Sequence, residues 1–108
     1  MRKEQRKRLR NPGGTVFDLL TPDTQHAFEV LRAELEPGAV DKGTRPYSHP
    51  GEEFILVKRG RLRLYHGHHT YELAEGDSII FRGNAPHWAD NPHAEPCELI
   101  IVICPPAY

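Results

Sequence analysis

Cysteine is scarce in this chain: only Cys97 and Cys104 occur among 108 residues. If both lie on one strand, they sit about 23 Å apart at roughly 3.3 Å per residue. A disulfide needs Cα atoms about 4.4–6.8 Å apart, so no intrachain bridge is expected. No Cys-x-x-Cys pair is present, which removes the common zinc and redox spacings. The two thiols read as small apolar residues in or near a core. Long apolar runs are missing too. The longest, residues 99–104, is far too short to cross a bilayer. The start Met1-Arg2-Lys3-Glu4 is charged, and no apolar segment follows it, so it does not read as a secretory signal. A cytoplasmic protein without a membrane partner is the expectation. No Gly-rich phosphate loop and no Ser/His/Asp order stand out.

Turn formers are plentiful by contrast. Ten prolines and nine glycines favour many turns and short strands over long helices. A hydrophobic fraction of 38% and a charged fraction of 27% suit one small domain with one core. Charge is uneven. Residues 1–10 sum to +5 while the whole chain carries −1, so residues 11–108 carry −6. Such asymmetry raises the question of an anionic partner. No recognition helix, zinc finger or stacking motif follows to supply specificity, so direct nucleic-acid binding is not expected. Residues 1–14 read as a basic N-terminal arm or a first strand, and 15–108 as the domain.

Alternation marks the strands. Residues 15–20 read as a strand after the turn Asn11-Pro12-Gly13-Gly14. Residues 26–36 fit either a strand or a helix with Phe28, Leu31 and Leu35 on one face. Strand is preferred because its neighbours are strands and no strong cap is present. Residues 39–46 read as a loop. Further strands are expected at 53–59, 61–65, 70–73, 78–81, 87–90 and 97–103. The last is an unbroken apolar run, which predicts burial on both faces, inside a sandwich or at a subunit contact. Eight to ten short strands with almost no helix indicate an all-β, antiparallel barrel or sandwich.

Two polar groups interrupt this pattern. Tyr47, His49 and Glu53 share one face of an extended chain, followed on that face by Ile55 and Val57. His87 and Asn91 are spaced likewise in the segment Pro86 to Asn91. Each group follows a Gly/Pro turn and enters a strand. A third histidine group, His66-Gly67-His68-His69, falls at a hairpin tip and reads as solvated.

These residues resemble the motifs of the cupins. His49-x3-Glu53-x6-Gly60 matches the second half of the first motif, G-x5-H-x-H-x3,4-E-x6-G. Gly76-x5-Arg82-x-Asn84-x2-His87-x3-Asn91 matches the second, with Arg82 and Asn84 in place of the usual Pro and Gly. The resemblance implies a single double-stranded β-helix, the jelly-roll cupin barrel, with the site inside. It implies a divalent metal (iron, manganese, nickel or zinc) on His49, Glu53 and His87. Tyr47 stands where the family usually has its first histidine. Its phenol is protonated at neutral pH, so it suits hydrogen bonding better than coordination. Tyr47 and Asn91 are the expected ligand contacts. The closest resemblance is to the C-terminal cupin domain of helix-turn-helix regulators, through Leu20-Thr21-Pro22, Glu36-Pro37-Gly38, His49 to Phe54, Gly76 to Ile79 and Pro105-Pro106. The 108 residues leave no room for the DNA-binding helices. The resemblance therefore implies a stand-alone, homodimeric sensor barrel for a small molecule. The alternative is a small metal-dependent enzyme, such as a dioxygenase, isomerase or decarboxylase.

Overall fold

The computed structural model describes residues 1–11, 13–41 and 48–107. After one 3-10 turn at Lys3–Gln5, ten strands follow. They are β1 (Lys7–Asn11), β2 (Thr15–Leu19), β3 (Glu29–Leu35), β4 (Val40–Asp41), β5 (Glu52–Arg59), β6 (Arg61–His66), β7 (His69–Ala74), β8 (Ser78–Arg82), β9 (His87–Asp90) and β10 (Cys97–Cys104). All pairings are antiparallel. One sheet has six strands in the order β1-β2-β3-β10-β5-β8, the other four in the order β4-β9-β6-β7. The architecture is the all-β jelly roll. Among the described residues, no helix is long and apolar enough to cross a membrane.

Period-two alternation builds the core between the sheets. Leu31, Ala33 and Leu35 of β3 point inward, as do Leu99, Ile101 and Ile103 of β10 and Ile55 and Val57 of β5. The register aligns them: Ile101 lies between Leu31 and Ile55. Leu62 and Leu64 of β6 meet them from the smaller sheet. Each such buried side chain contributes about 1.5–3 kcal/mol relative to exposure. Both cysteines lie on β10 as free thiols.

Several expectations are corrected. Residues 26–28 lie outside β3, which starts at Glu29. Local hydrogen bonds hold the preceding turn instead: Asp23 Oδ1 accepts from the Gln25 N–H and Thr21 Oγ1 from the Val30 N–H. Residues Val40–Asp41 are not loop but pair with β9, because the chain passes beside Asp90 there; residues 42–46 lie outside the described residues. Within this chain β10 is covered on one face, which leaves only the subunit-contact form of the expected burial on both faces. Cys97, Leu99, Ile101 and Ile103 are covered by the smaller sheet, while Ile100 and Val102 are half exposed on the outside. In the basic N-terminus, Lys7–Asn11 pairs along β2 ahead of residue 15. Arg8 there reaches Asp18, its Nε 2.7 Å from Oδ1.

Candidate metal centre

Alternation along β5 turns Glu53 inward with Ile55 and Val57, between Ile103 of β10 and Phe81 of β8. Glu53 is fully buried. A carboxylate in an apolar interior needs strong compensation, so its surroundings are informative. Two imidazoles supply them. Nε2 of His49 lies 3.0 Å from Glu53 Oε1, and Nε2 of His87 lies 3.3 Å from the same atom. The two rings stand edge to face, centroids 5.0 Å apart. One donor atom from each of the three residues falls within 4.8 Å of the others.

The far side of each ring defines what Nε2 offers. His49 Nδ1 lies 3.0 Å from the Pro50 carbonyl, and His87 Nδ1 lies 2.9 Å from the Ala85 carbonyl. A carbonyl oxygen only accepts, so each Nδ1 is the donor. In a neutral ring that leaves a lone pair on Nε2. Two nitrogen lone pairs then face one carboxylate oxygen. His87 Nε2 is buried and makes no hydrogen bond among the described residues. Such an arrangement needs positive charge at its centre, as a proton on one ring or as a cation shared by all three. Neutral imidazoles oriented through Nδ1 and an ionised carboxylate are the donor set a divalent transition ion takes.

One short loop, residues 83–86, organises both histidines. The Gly83 carbonyl accepts from the His49 N–H at 2.8 Å, and the Ala85 carbonyl holds His87. Gly83 also makes the room for the His49 ring. A Cβ there would lie 2.2 Å from Cε1 and 2.4 Å from Nδ1 of His49. Its φ is not positive, so space rather than backbone freedom requires glycine. Gly51 is constrained on both counts, with φ of 85° and a Cβ position only 2.0 Å from the Cys104 carbonyl oxygen. No sequence spacing reveals the contact of Gly83 with His49, since it spans two separate motifs.

His66 departs from the solvated tip expected for the histidines at the hairpin. It belongs to β6 and faces inward, its Nε2 donating to the Arg82 carbonyl at 3.0 Å. Its ring centroid is 4.8 Å from that of Phe81 and 6.3 Å from that of His87, so it forms a wall of the site. His68 and His69 remain exposed. Cys97 is not among the clustered donors, and burial pushes its thiol up to about 12.

Asn91 has a different setting from the three donors. It is fully buried, and its Nδ2 donates to the carbonyls of Leu35 and Glu95 at 3.1 and 2.8 Å. Its Oδ1 accepts from the His93 N–H. The main chain thus occupies this amide, which pins the β9–β10 connection to the end of β3. Tyr47 lies outside the described residues. A second buried carboxylate, Glu29, shares the inner row of Ile103 and Glu53; its Oε1 accepts from the Ala107 N–H at 3.0 Å.

Residues 31–103 match the family model described as the cupin domain. The chain belongs to the cupin family. No curated protein matches it. Among solved structures it is similar to the Cupin_2 domain of an XRE family transcriptional regulator from Enterobacter cloacae. That likeness has a TM-score of 0.75 and 24% identity, over 86% of this chain and 98% of that one. It is also similar to an RmlC-like cupin from Shewanella frigidimarina, with a TM-score of 0.79 and 20% identity over 98% and 89% of the two chains. The iron(II) form of the enzyme HppE gives a TM-score of 0.77 and 19% identity. It covers 95% of this chain but 58% of that one. At these identities the likenesses establish the fold. They include a regulator domain and an iron enzyme alike, so they leave the role to the site.

Proposed function

We propose that this chain is a sensor-type cupin that binds a small molecule at a divalent metal held by His49, Glu53 and His87. The observation that carries the reading is the convergence of two Nδ1-anchored imidazoles on one buried carboxylate oxygen, all three donors within 4.8 Å. When bound, iron(II), manganese, nickel or zinc would supply a Lewis-acidic centre with positions open to a ligand. The protein's own part is orientation and shelter. The carbonyls of Pro50 and Ala85 fix the rings, Gly83 leaves room for one of them, and the barrel wall excludes bulk water. Tyr47, in the place of the family's first histidine, is proposed as a hydrogen-bonding contact to the ligand or to metal-bound water. Three donors in place of four favour sensing over catalysis. A cytoplasmic location and a second copy as partner belong to the same proposal.

The second reading is a small metal-dependent enzyme. It is favoured by the donor set itself, since two histidines and one carboxylate leave room for substrate as well as ligand. Metal analysis of protein purified from metal-replete medium tests the shared premise. About one ion per chain, lost in His87→Ala, is the expected result; a metal-free wild type removes it. Small-molecule screening of the metal-loaded protein then separates the roles. A compound that raises the melting temperature and is recovered intact supports sensing, whereas its consumption supports the enzyme.

A further inference from the structure

The three clustered donors come from both sheets. Glu53 stands on β5 of the larger sheet with His49 just before it, whereas His87 stands on β9 of the smaller one. Their separation therefore depends on how the sheets are spaced at this end of the barrel. Loop 83–86 makes the crossing, but its first residue is tied to one side only. The Gly83 N–H donates to the Gly51 carbonyl at 2.9 Å, and the Gly83 carbonyl accepts from the His49 N–H at 2.8 Å. Arg82, the last residue of β8, pairs with Glu52 of β5. Both residues thus move with the segment that carries His49 and Glu53, and they do not by themselves fix His87.

His66 links the two sides. Its backbone belongs to β6 of the smaller sheet, directly opposite His87, and the Gly67 N–H extends that ladder to the Pro86 carbonyl at 2.8 Å. Its ring reaches the larger sheet. β8 is the end strand there, and the Arg82 carbonyl accepts from His66 Nε2 at 3.0 Å. Phe81 packs between the histidines, its ring centroid 4.8 Å from that of His66 and 5.0 Å from that of His87. We propose that His66 is a positioning residue of the metal centre: its hydrogen bond across the sheets sets the distance from His87 to His49 and Glu53. This rests on the metal reading above and extends it to a residue that donates nothing to the ion. The demand is strict, because metal–ligand distances tolerate only about 0.2 Å. Loss of a partner that orients the ligands costs about 10–100-fold in affinity.

Two variants of the full chain test this. His66→Phe keeps an aromatic ring against Phe81 and removes the N–H, whereas His66→Gln keeps an N–H at the reach of Nε2. Cobalt(II) titration, followed by the visible absorption of the bound ion, reads affinity and ligand geometry together. Amide hydrogen exchange of the metal-free proteins reads the loop directly. His66→Phe is expected to bind cobalt about tenfold more weakly or worse, with a shifted visible band. Its His49 and Gly83 amides should exchange faster than in the wild type, while those of β10 keep their protection. His66→Gln should recover most of the affinity and the wild-type band. Wild-type affinity and spectrum in His66→Phe overturn the proposal. So does equal acceleration of exchange in β10, which marks a general loss of stability, and so does a His66→Gln variant as weak as His66→Phe, which assigns the effect to ring packing. A wild type that takes up no cobalt removes the metal reading alone. The exchange data then still decide the positioning: unchanged protection of His49 and Gly83 in His66→Phe overturns it, and selective loss upholds it.

Discussion

Replacing Gly83 by alanine tests the metal centre through a residue that donates no ligand. The new methyl carbon would lie 2.2 Å from His49 Cε1, where ordinary contact begins at 3.4 Å. The ring or the loop must therefore yield by about 1.2 Å. Metal–ligand distances tolerate about 0.2 Å, so His49 can no longer share an ion with Glu53 and His87. Loss of orientation around a metal costs about 10–100-fold in affinity, and displacement of a ligand belongs at the upper end or beyond. The fold suffers less, because overpacking costs about 1–3 kcal/mol. Zinc or cobalt titration followed by thermal melts separates the two effects. At a free metal concentration of about 100 Kd the wild type gains about 2.7 kcal/mol, a rise of about 10 °C or more for a domain of this size. The Gly83→Ala variant is expected to melt somewhat lower as apoprotein and to gain almost nothing from the same metal. Wild-type metal affinity in Gly83→Ala would refute the reasoning, since it would mean that the His49 ring is not where the ion binds.

Asn91→Ala removes the amide that satisfies the carbonyls of Leu35 and Glu95, and each buried unsatisfied group costs about 1–3 kcal/mol. Denaturant melts should therefore show a loss of about 3 kcal/mol, with metal affinity per folded molecule unchanged; a stable variant with altered metal binding would instead return Asn91 to the ligand site. Acid stability probes the outer charge cluster. The hydrogen bond from Arg8 holds the Asp18 carboxyl below its ordinary value of 3.8, despite the opposing effect of burial. A carboxylate depressed on folding contributes stability fully above its ordinary value and loses it as pH falls through the lowered one. The gap between wild type and Asp18→Asn should therefore be widest near neutrality and close below about pH 3.8; a gap that stays constant from neutral pH to strong acid contradicts the pairing.

The strands were legible because antiparallel strands covered on one face write a period of two. The run Arg61-Leu62-Arg63-Leu64 displays it openly, and the inward set observed in β6 follows it. The groups His49–Glu53 and His87–Asn91 were legible because each follows a turn and enters a strand, whereas the meeting of Glu53 with His87 was implied by the cupin motifs and by no local signal. What escaped were contacts made between segments far apart in the chain. Gly83 lies 34 positions from His49, and its lack of a side chain says nothing about which ring fills the space. His66 was grouped with His68 and His69 because local position says tip, whereas pairing with β9 carries it to the wall of the site. The apolar run of β10 did imply contact on both faces, but no single strand says whether the second cover comes from the same chain. Asn91 followed a motif spacing correctly, while the geometry around it shows an amide used by the main chain.

β5 has two chemically different faces. Glu53 points into the barrel towards His49 and His87, and its neighbours Glu52 and Phe54 face outward from the other side. Neighbouring residues of one strand cannot shift independently. If filling the barrel draws Glu53 inward by even a fraction of an ångström, the outward pair moves with it. A displacement of Glu53 inside the barrel therefore moves the outer face of the larger sheet with it.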